Sequence, residues 1–234
     1  MSAPKHDIVY IVRDGANEEL RYSLRSVEKN FRFRRVIIYG GKPDDIHPDK
    51  YVHVNQHGAT RYEMTRNVIR QACDDNDITP DFWLFNDDFF IMRPLHAFKT
   101  ENGGLLWDHI DRIERGYGIT EYTKQLRHLL YTLERQNRFK CPKDYDLHKP
   151  MLINRAKMAA VIDNYPDETA VRSLYGNVWD IHGPQGEDCK FGSAAGDPKR
   201  KDIDIVSTSD EAFKGGDIGV YIRDQFPDRS RFEE

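Results

Sequence analysis

Asn86-Asp87-Asp88 closes the apolar run Asp81-Phe-Trp-Leu-Phe85 and is followed at once by Phe89-Phe90-Ile91-Met92. Carboxylate and amide oxygens held where a buried strand ends can bind a hard divalent cation, and such a cation can neutralise a diphosphate. The same tripeptide also suits an acidic turn whose Asn86 and Asp87 bond local backbone. The flanks favour the cation, because acids set between two aromatic runs reach bulk water poorly and a buried carboxylate without a partner is costly. Asp88 is the principal ligand expected, helped by Asn86 or Asp87. A divalent metal there would bridge the two phosphates of a nucleotide diphosphate and stabilise negative charge as the sugar–phosphate bond breaks.

Other residues fit the same chemistry. Gly40-Gly41-Lys42 and Thr60-Arg61 can approach a nucleotide, Arg61 as a forked phosphate donor. The glycines make neither G-x-G-x-x-G nor a Walker motif, which argues against a dinucleotide or ATP. Two segments combine His, acids and turn residues: Asp144-Tyr-Asp146-Leu-His148-Lys-Pro150, and Trp179-Asp180-Ile-His182-Gly-Pro-Gln-Gly-Glu187-Asp188. His182 is expected to complete the metal's shell, and Asp188, beside Glu187, to take the proton of an attacking hydroxyl. The rival arrangement puts His148 in the site and leaves His182 structural. No G-x-S-x-G elbow and no H-E-x-x-H is present, so a serine hydrolase or a zincin is disfavoured.

These residues need a scaffold. Asp7 to Val12 is an apolar run of strand length ended by Arg13-Asp14-Gly15, and Asn17 caps a helix predicted from Glu18 to Phe31, with Leu20, Leu24, Val27 and Phe31 on one stripe. Val36 to Gly40 repeats the strand-then-glycine pattern, Tyr51 to Asn55 gives a third strand, Ala59 to Asp75 a helix, and Phe82 to Phe85 a fourth strand. Strands alternating with helices imply a mostly parallel, doubly wound α/β sheet, whose ligands sit beyond the carboxyl ends of the strands. Asp14, Gly40-Gly41, Asn55 and Asn86 to Asp88 all fall on that rim. Further on, Glu121 to Gln136, Asn154 to Tyr165 and Glu168 to Leu174 read as helices of a C-terminal lobe. Asp202 to Ser207 alternates like an edge strand, and Gly215 to Gly219 reads as a loop.

With 234 residues, 38% hydrophobic and 32% charged, the chain suits one soluble domain. Residues 1–100 form the expected nucleotide-sugar half and 101–234 the helical acceptor half. A net charge of -4 gives no general attraction to nucleic acid or anionic membrane. Arg32-Phe-Arg34-Arg35 and Lys199-Arg200-Lys201 are the local basic clusters. Cys73, Cys141 and Cys189 lie far apart and odd in number, which fits a reducing compartment. The polar first seven residues lack a signal core, so a cytoplasmic protein is expected.

Three segments carry a family resemblance: Glu18-Glu-Leu-Arg-Tyr-Ser-Leu-Arg-Ser-Val-Glu-Lys-Asn30, Phe85-Asn-Asp-Asp-Phe-Phe90, and Phe226-Pro-Asp-Arg-Ser-Arg-Phe-Glu233. Together they resemble Stealth-type sugar-phosphate transferases and, more closely in length, small phage-encoded glycosyltransferases. The resemblance implies a GT-A-like fold, a Mn²⁺ or Mg²⁺ ion at the acidic motif, and transfer from a nucleotide-diphospho-sugar, such as a UDP-sugar, to a hydroxyl. The acceptor would be a virion protein, a glycan or a hydroxymethylated DNA base, in host cytoplasm if the gene is a phage's. By position, Asn86, Asp87 and Asp88 take the place of the D-x-D signature. The chain departs from the pattern with Asn at its first position, and with Ile11-Val-Arg-Asp-Gly15 where Stealth proteins open on a Trp-Val-Asp-Gly-like segment. Hexose-1-phosphate transfer and a non-catalytic sugar- or nucleotide-binding module are the alternatives.

Overall fold

Asp7–Val12 form strand β1, apolar on both sides because both faces of the sheet are covered. Residues 6–136, 140–192 and 203–234 are described, from a computed structural model. Helix α1 (Glu18–Asn30) follows, and Asn17 caps it by accepting from the Leu20 amide. Then come β2 (Val36–Gly40), β3 (Lys50–Val52), α2 (Arg61–Asp74) with Thr60 as its cap, and β4 (Asp81–Asn86). These four strands run parallel in the order β3-β2-β1-β4, so their carboxyl ends share one rim. The third strand is shorter than the Tyr51 to Asn55 expected from sequence.

Side chains alternate between two cores. Val9, Ile37, Phe82 and Leu84 pack on the side of α2 and the later helices, while Ile8, Tyr10, Ile38, Trp83 and Phe85 pack with Leu20, Leu24 and Val27 of α1. Alternation along each strand thus feeds both layers.

After β4 the chain turns at Asp87-Asp88 into β5 (Phe89–Ile91). Helices α3 (Leu106–Tyr117) and α4 (Glu121–Arg135) pair as a hairpin. β6 (Met151–Asn154) then adds to the main sheet, antiparallel to β4. α5 (Arg155–Asn164) and α6 (Val171–Val178) follow, the latter displaced from the expected Glu168 to Leu174. β7 (Lys190–Phe191) and β8 (Ile205–Thr208) complete a second sheet in the order β5-β8-β7, and α7 (Asp210–Gly215) and α8 (Asp217–Gln225) end the chain's regular structure.

Two sequence expectations fail here. The strand expected at a sheet edge near residues 202–207 is the central, fully buried strand β8, whose Ser207 and Thr208 are polar yet enclosed. The loop expected at Gly215 to Gly219 is the junction of α7 and α8, because the chain needs only Gly216 to turn between them. Residue 202 and the basic cluster 199–201 lie outside the described residues.

Polar side chains of α1 fix the second sheet to the first. Ser23 Oγ donates to the Phe89 carbonyl at 2.5 Å, Ser26 Oγ accepts from the Ile91 amide, and Asn30 donates to the Ile91 carbonyl. The free edge of β5 is therefore saturated by a helix rather than left open. The C-terminal segment is clasped to the same helix. Arg21 and Arg25 both bond the fully enclosed carboxylate of Glu233, and Phe232 is buried in the α1-side core. The first and third segments of the resemblance are thus one structural clasp.

Candidate functional site

The Asp87-Asp88 turn is where the two sheets meet. Asp87 bonds its own backbone, as an ordinary acidic turn would, but both side chains also reach beyond the turn. Asp87 Oδ2 accepts from Asn17 Nδ2 at 2.5 Å, which ties the turn to the cap of α1. Asn86 Oδ1 accepts from Arg172 Nη2 at 3.1 Å. Asp88 is 8% exposed. Its Oδ2 accepts from Lys190 Nζ at 2.5 Å and from Ser207 Oγ at 2.8 Å. Its Oδ1 is buried without a hydrogen-bond partner.

A third carboxylate belongs to the group. Glu19, in the first turn of α1, is bonded by the Thr208 hydroxyl at 2.5 Å. Burial is the main reason its affinity for a proton rises to about 7, and the charges of Asp88, Asp87 and Asp210 add to it. Burial, then the neighbouring Asp88 charge, likewise lifts Asp87 to about 6. Carboxylates that favour protons for these reasons gain from any other cation in their place. Lys190 supplies one positive charge and Arg172 a second. The Arg172 guanidinium is enclosed, donates also to the Lys149 carbonyl, and lies over the Phe89 ring. Burial lowers its hold on its proton, against the opposing charges of Asp146 and Asp88.

A second polar group stands beside the first. His148 Nδ1 lies 3.0 Å from Asp188 Oδ1. His148 adopts φ 47°, a left-handed conformation rare for a residue with a β-carbon. Burial disfavours its charge, yet the Asp188 bond and the Asp146 and Asp188 charges outweigh burial and raise its affinity for a proton. For Asp188, burial is likewise outweighed by His148, which holds it below the usual carboxylate range. Each member of the pair therefore favours the charged form of the other.

The sequence-predicted residues divide as follows. Asn86, Asp87, Asp88 and Asp188 stand in these groups. His182 does not: its side chain is 86% exposed, with Asp180 3.6 Å away, and His148 takes the place beside Asp188. Glu187 is exposed. The Asn86 side-chain oxygen is shared with Arg172. Asp14 is exposed beside Gly41, and Arg61 lies over the Tyr62 ring and donates to its hydroxyl, at the surface. Lys42 bends onto the Pro43 carbonyl and the Tyr51 ring. Gly40 serves the rim by packing: at φ 108°, a Cβ there would stand 2.0 Å from the Val12 carbonyl oxygen.

Glu19, Arg172, Lys190 and Ser207 were not singled out from sequence. Arg172 alone carried a signal, a charge inside the short run Ala170-Val-Arg-Ser-Leu-Tyr175. The others reach the turn from sequence positions 69 to 119 residues away, which no local pattern records. Among the described residues, no three His, Cys, Asp or Glu side chains stand together in a way that could hold a metal ion by themselves. Arg34 and Arg35 of the N-terminal basic cluster pair with the enclosed Asp7. No helix among the described residues is long and apolar enough to cross a membrane.

No family model matches the chain, and no curated protein is significantly similar to it.

Proposed function

We propose that this chain is a glycosyltransferase that moves a sugar from a nucleotide-diphospho-sugar to a hydroxyl acceptor, on a GT-A-like arrangement of its α/β sheet. One observation carries the reading: three carboxylates, Glu19, Asp87 and Asp88, gather where β1 and β4 end, and the buried Asp88 Oδ1 lacks a partner. Strand ends of a parallel sheet are where ligands of such folds bind.

A Mn²⁺ or Mg²⁺ ion fits this group as a shared ligand rather than a caged one. Such ions in nucleotide sites take one or two protein carboxylates and complete their shell with water and phosphate oxygens. Asp88 Oδ1 and Asp87 are the oxygens that would hold it, and when bound it would neutralise the departing diphosphate. The protein's own residues do the rest. Lys190 and Arg172 offer fixed positive charge to phosphate, Asn17 orients Asp87, and Asp188 receives the proton of the attacking hydroxyl beside His148. Residues 1–100 would serve the donor and 101–234 the acceptor.

The Lys190–Asp88 contact favours a second reading, in which Lys190 takes the place of the ion and transfer needs no metal. Thermal shift with UDP- and other nucleotide-sugars, with and without Mn²⁺, tests both. Stabilisation by a nucleotide-sugar only with Mn²⁺ supports the first, and stabilisation that survives EDTA supports the second. No stabilisation by any nucleotide-sugar would overturn the transferase. Analysis of the released nucleotide separates diphospho-sugar chemistry, which frees a diphosphate, from hexose-1-phosphate transfer, which frees a monophosphate. A binding module without turnover would keep ligand affinity in Asp88→Ala and release no nucleotide at all.

A further inference from the structure

A cavity of about 490 Å³ lies between the start of α3 and the segments around Lys143 and Gln185. That volume suits a mono- or disaccharide-sized ligand. Of the residues lining it, Gly183 and Gln185 belong to the Trp179 to Asp188 segment picked out from sequence, and the others lie outside every segment so chosen. Its charged walls are Arg112 and Lys143 on one hand and Asp108 on the other. Neither cation has a carboxylate partner among the described residues; Arg112 Nη2 instead lies 2.9 Å from His109 Nδ1. Cations left unpaired beside a concavity are available to an anion.

A buried polar group lies behind Gly103. Asp144 is fully enclosed, and its Oδ1 accepts from Ser173 Oγ and the Asp146 amide. Its Oδ2 makes no hydrogen bond and lies 3.4 Å from His109 Nδ1. Gly103 lines the cavity, and a Cβ at that position would stand 2.5 Å from Asp144 Oδ2. Gln185 lines the cavity with a side-chain amide that makes no hydrogen bond among the described residues. Two cations beside a set of hydroxyl-binding groups define a mixed ligand rather than a bare anion.

The cavity communicates with the site. His109 Nε2 lies 3.3 Å from the Tyr122 hydroxyl, which donates to Asp146 at 3.2 Å, two residues before His148. The charge of His109 is felt at Asp188.

We infer that this cavity binds an acidic sugar, a hydroxylated ring bearing a carboxylate or a phosphate, as the acceptor for transfer at Asp188. Arg112 and Lys143 would take the anionic group, and Asp108 and Gln185 the ring hydroxyls. The word acceptor rests on the transferase reading; the binding site does not.

The test is a titration of the whole chain by NMR, without nucleotide or metal, using glucuronate, glucose 6-phosphate, glucose and inorganic phosphate. Glucuronate or glucose 6-phosphate should bind at least about tenfold more tightly than glucose or phosphate alone, and R112A/K143A should remove that margin. Comparison of the two acids shows which anionic group is taken. Q185A, which removes a side-chain amide from the cavity wall, should weaken binding too, with circular dichroism confirming the fold of each variant. Equal binding of glucose, equal binding of bare phosphate, no binding at all, or undiminished binding in R112A/K143A would each overturn the inference. Acid-sugar binding with no transfer from any nucleotide-sugar keeps the cavity and removes the transferase; transfer to neutral acceptors undiminished in R112A/K143A does the reverse.

Discussion

Lys190 Nζ lies 2.5 Å from Asp88 Oδ2 and 2.6 Å from the Thr208 carbonyl oxygen, so an ammonium from the second sheet is bonded into the turn that ends β4. One residue thereby joins the two sheets and counters a local excess of negative charge from Glu19, Asp87 and Asp88. The contact also fixes which Asp88 oxygen remains for a ligand.

Removing the ammonium should expose that excess. Lys190→Ala leaves a mostly buried carboxylate beside two others, and Lys190 itself is partly exposed, so a loss of about 2 kcal/mol is expected, below the range for a fully buried pair. Mn²⁺ should restore more stability to Lys190→Ala than to the parent, because the cation then meets both Asp88 oxygens. Urea midpoints with and without Mn²⁺ check this; equal gains in the two proteins would show that no cation binds at Asp88.

Stability should fall from mildly acid to mildly alkaline pH. Asp87 and Glu19 hold protons in the folded chain up to about 6 and about 7, whereas their unfolded values are near 4. The folded state therefore binds more protons between pH 4 and 7, and stability is lost as pH rises through that window. His148, raised by Asp188, contributes in the same direction above its unfolded value. Asp75 and Glu233 behave oppositely: burial is outweighed by their cationic partners, both sit at about 2, and their contribution is lost only below pH 4. A fall on the order of 2 kcal/mol from pH 5 to pH 8 is expected, smaller in E19Q/D87N. Denaturant titrations at the two pH values measure it, and a stability that rises with pH would contradict the arrangement.

The scaffold was far more legible than the site. Apolar strands ended by Arg13-Asp14-Gly15 and Gly40-Gly41, and the Asn17 cap, are local patterns, and β1, α1, β2 and β4 fall where they predict. β5, β6 and β7 are too short to stand out, and each is stabilised by partners distant in sequence, β5 by Ser23, Ser26 and Asn30 of α1. The site required knowing which long-range side chains converge. Asn86 to Asp88 announced themselves by sitting between aromatic runs; Lys190 and Glu19 could not. The choice between His148 and His182 depended on a loop conformation, with His148 in the left-handed region, that residue types do not reveal.

Arg172 should matter more for ligand than for folding. Its guanidinium is enclosed at a cost in hydration and bonds only neutral oxygens, those of Asn86 and Lys149. Replacing a buried ion by an apolar side chain of similar length is often close to neutral. Arg172→Met is therefore expected to change stability by less than about 1.5 kcal/mol. Nucleotide-sugar affinity should drop at least about tenfold, as an interaction with phosphate is lost. Calorimetric titration beside a thermal melt separates the two. Unchanged affinity with a collapsed melting temperature would make Arg172 purely structural.

Asp188 and His148 should govern the pH dependence of transfer, and His182 should not. His148 beside Asp188 favours the ionised carboxylate, which is the form able to take a proton from an acceptor hydroxyl. Asp188→Asn removes that capacity and should lower kcat by about 10²- to 10⁴-fold, with the KM for donor little altered. His148→Asn tolerates the left-handed backbone but loses the charge, so Asp188 should titrate at higher pH and the acid limb of the rate profile should move upward. His182→Ala, at an exposed position remote from the pair, should leave both kcat and the profile as they are. If His182→Ala abolished transfer while His148→Asn did not, the assignment of the base and its partner would be reversed.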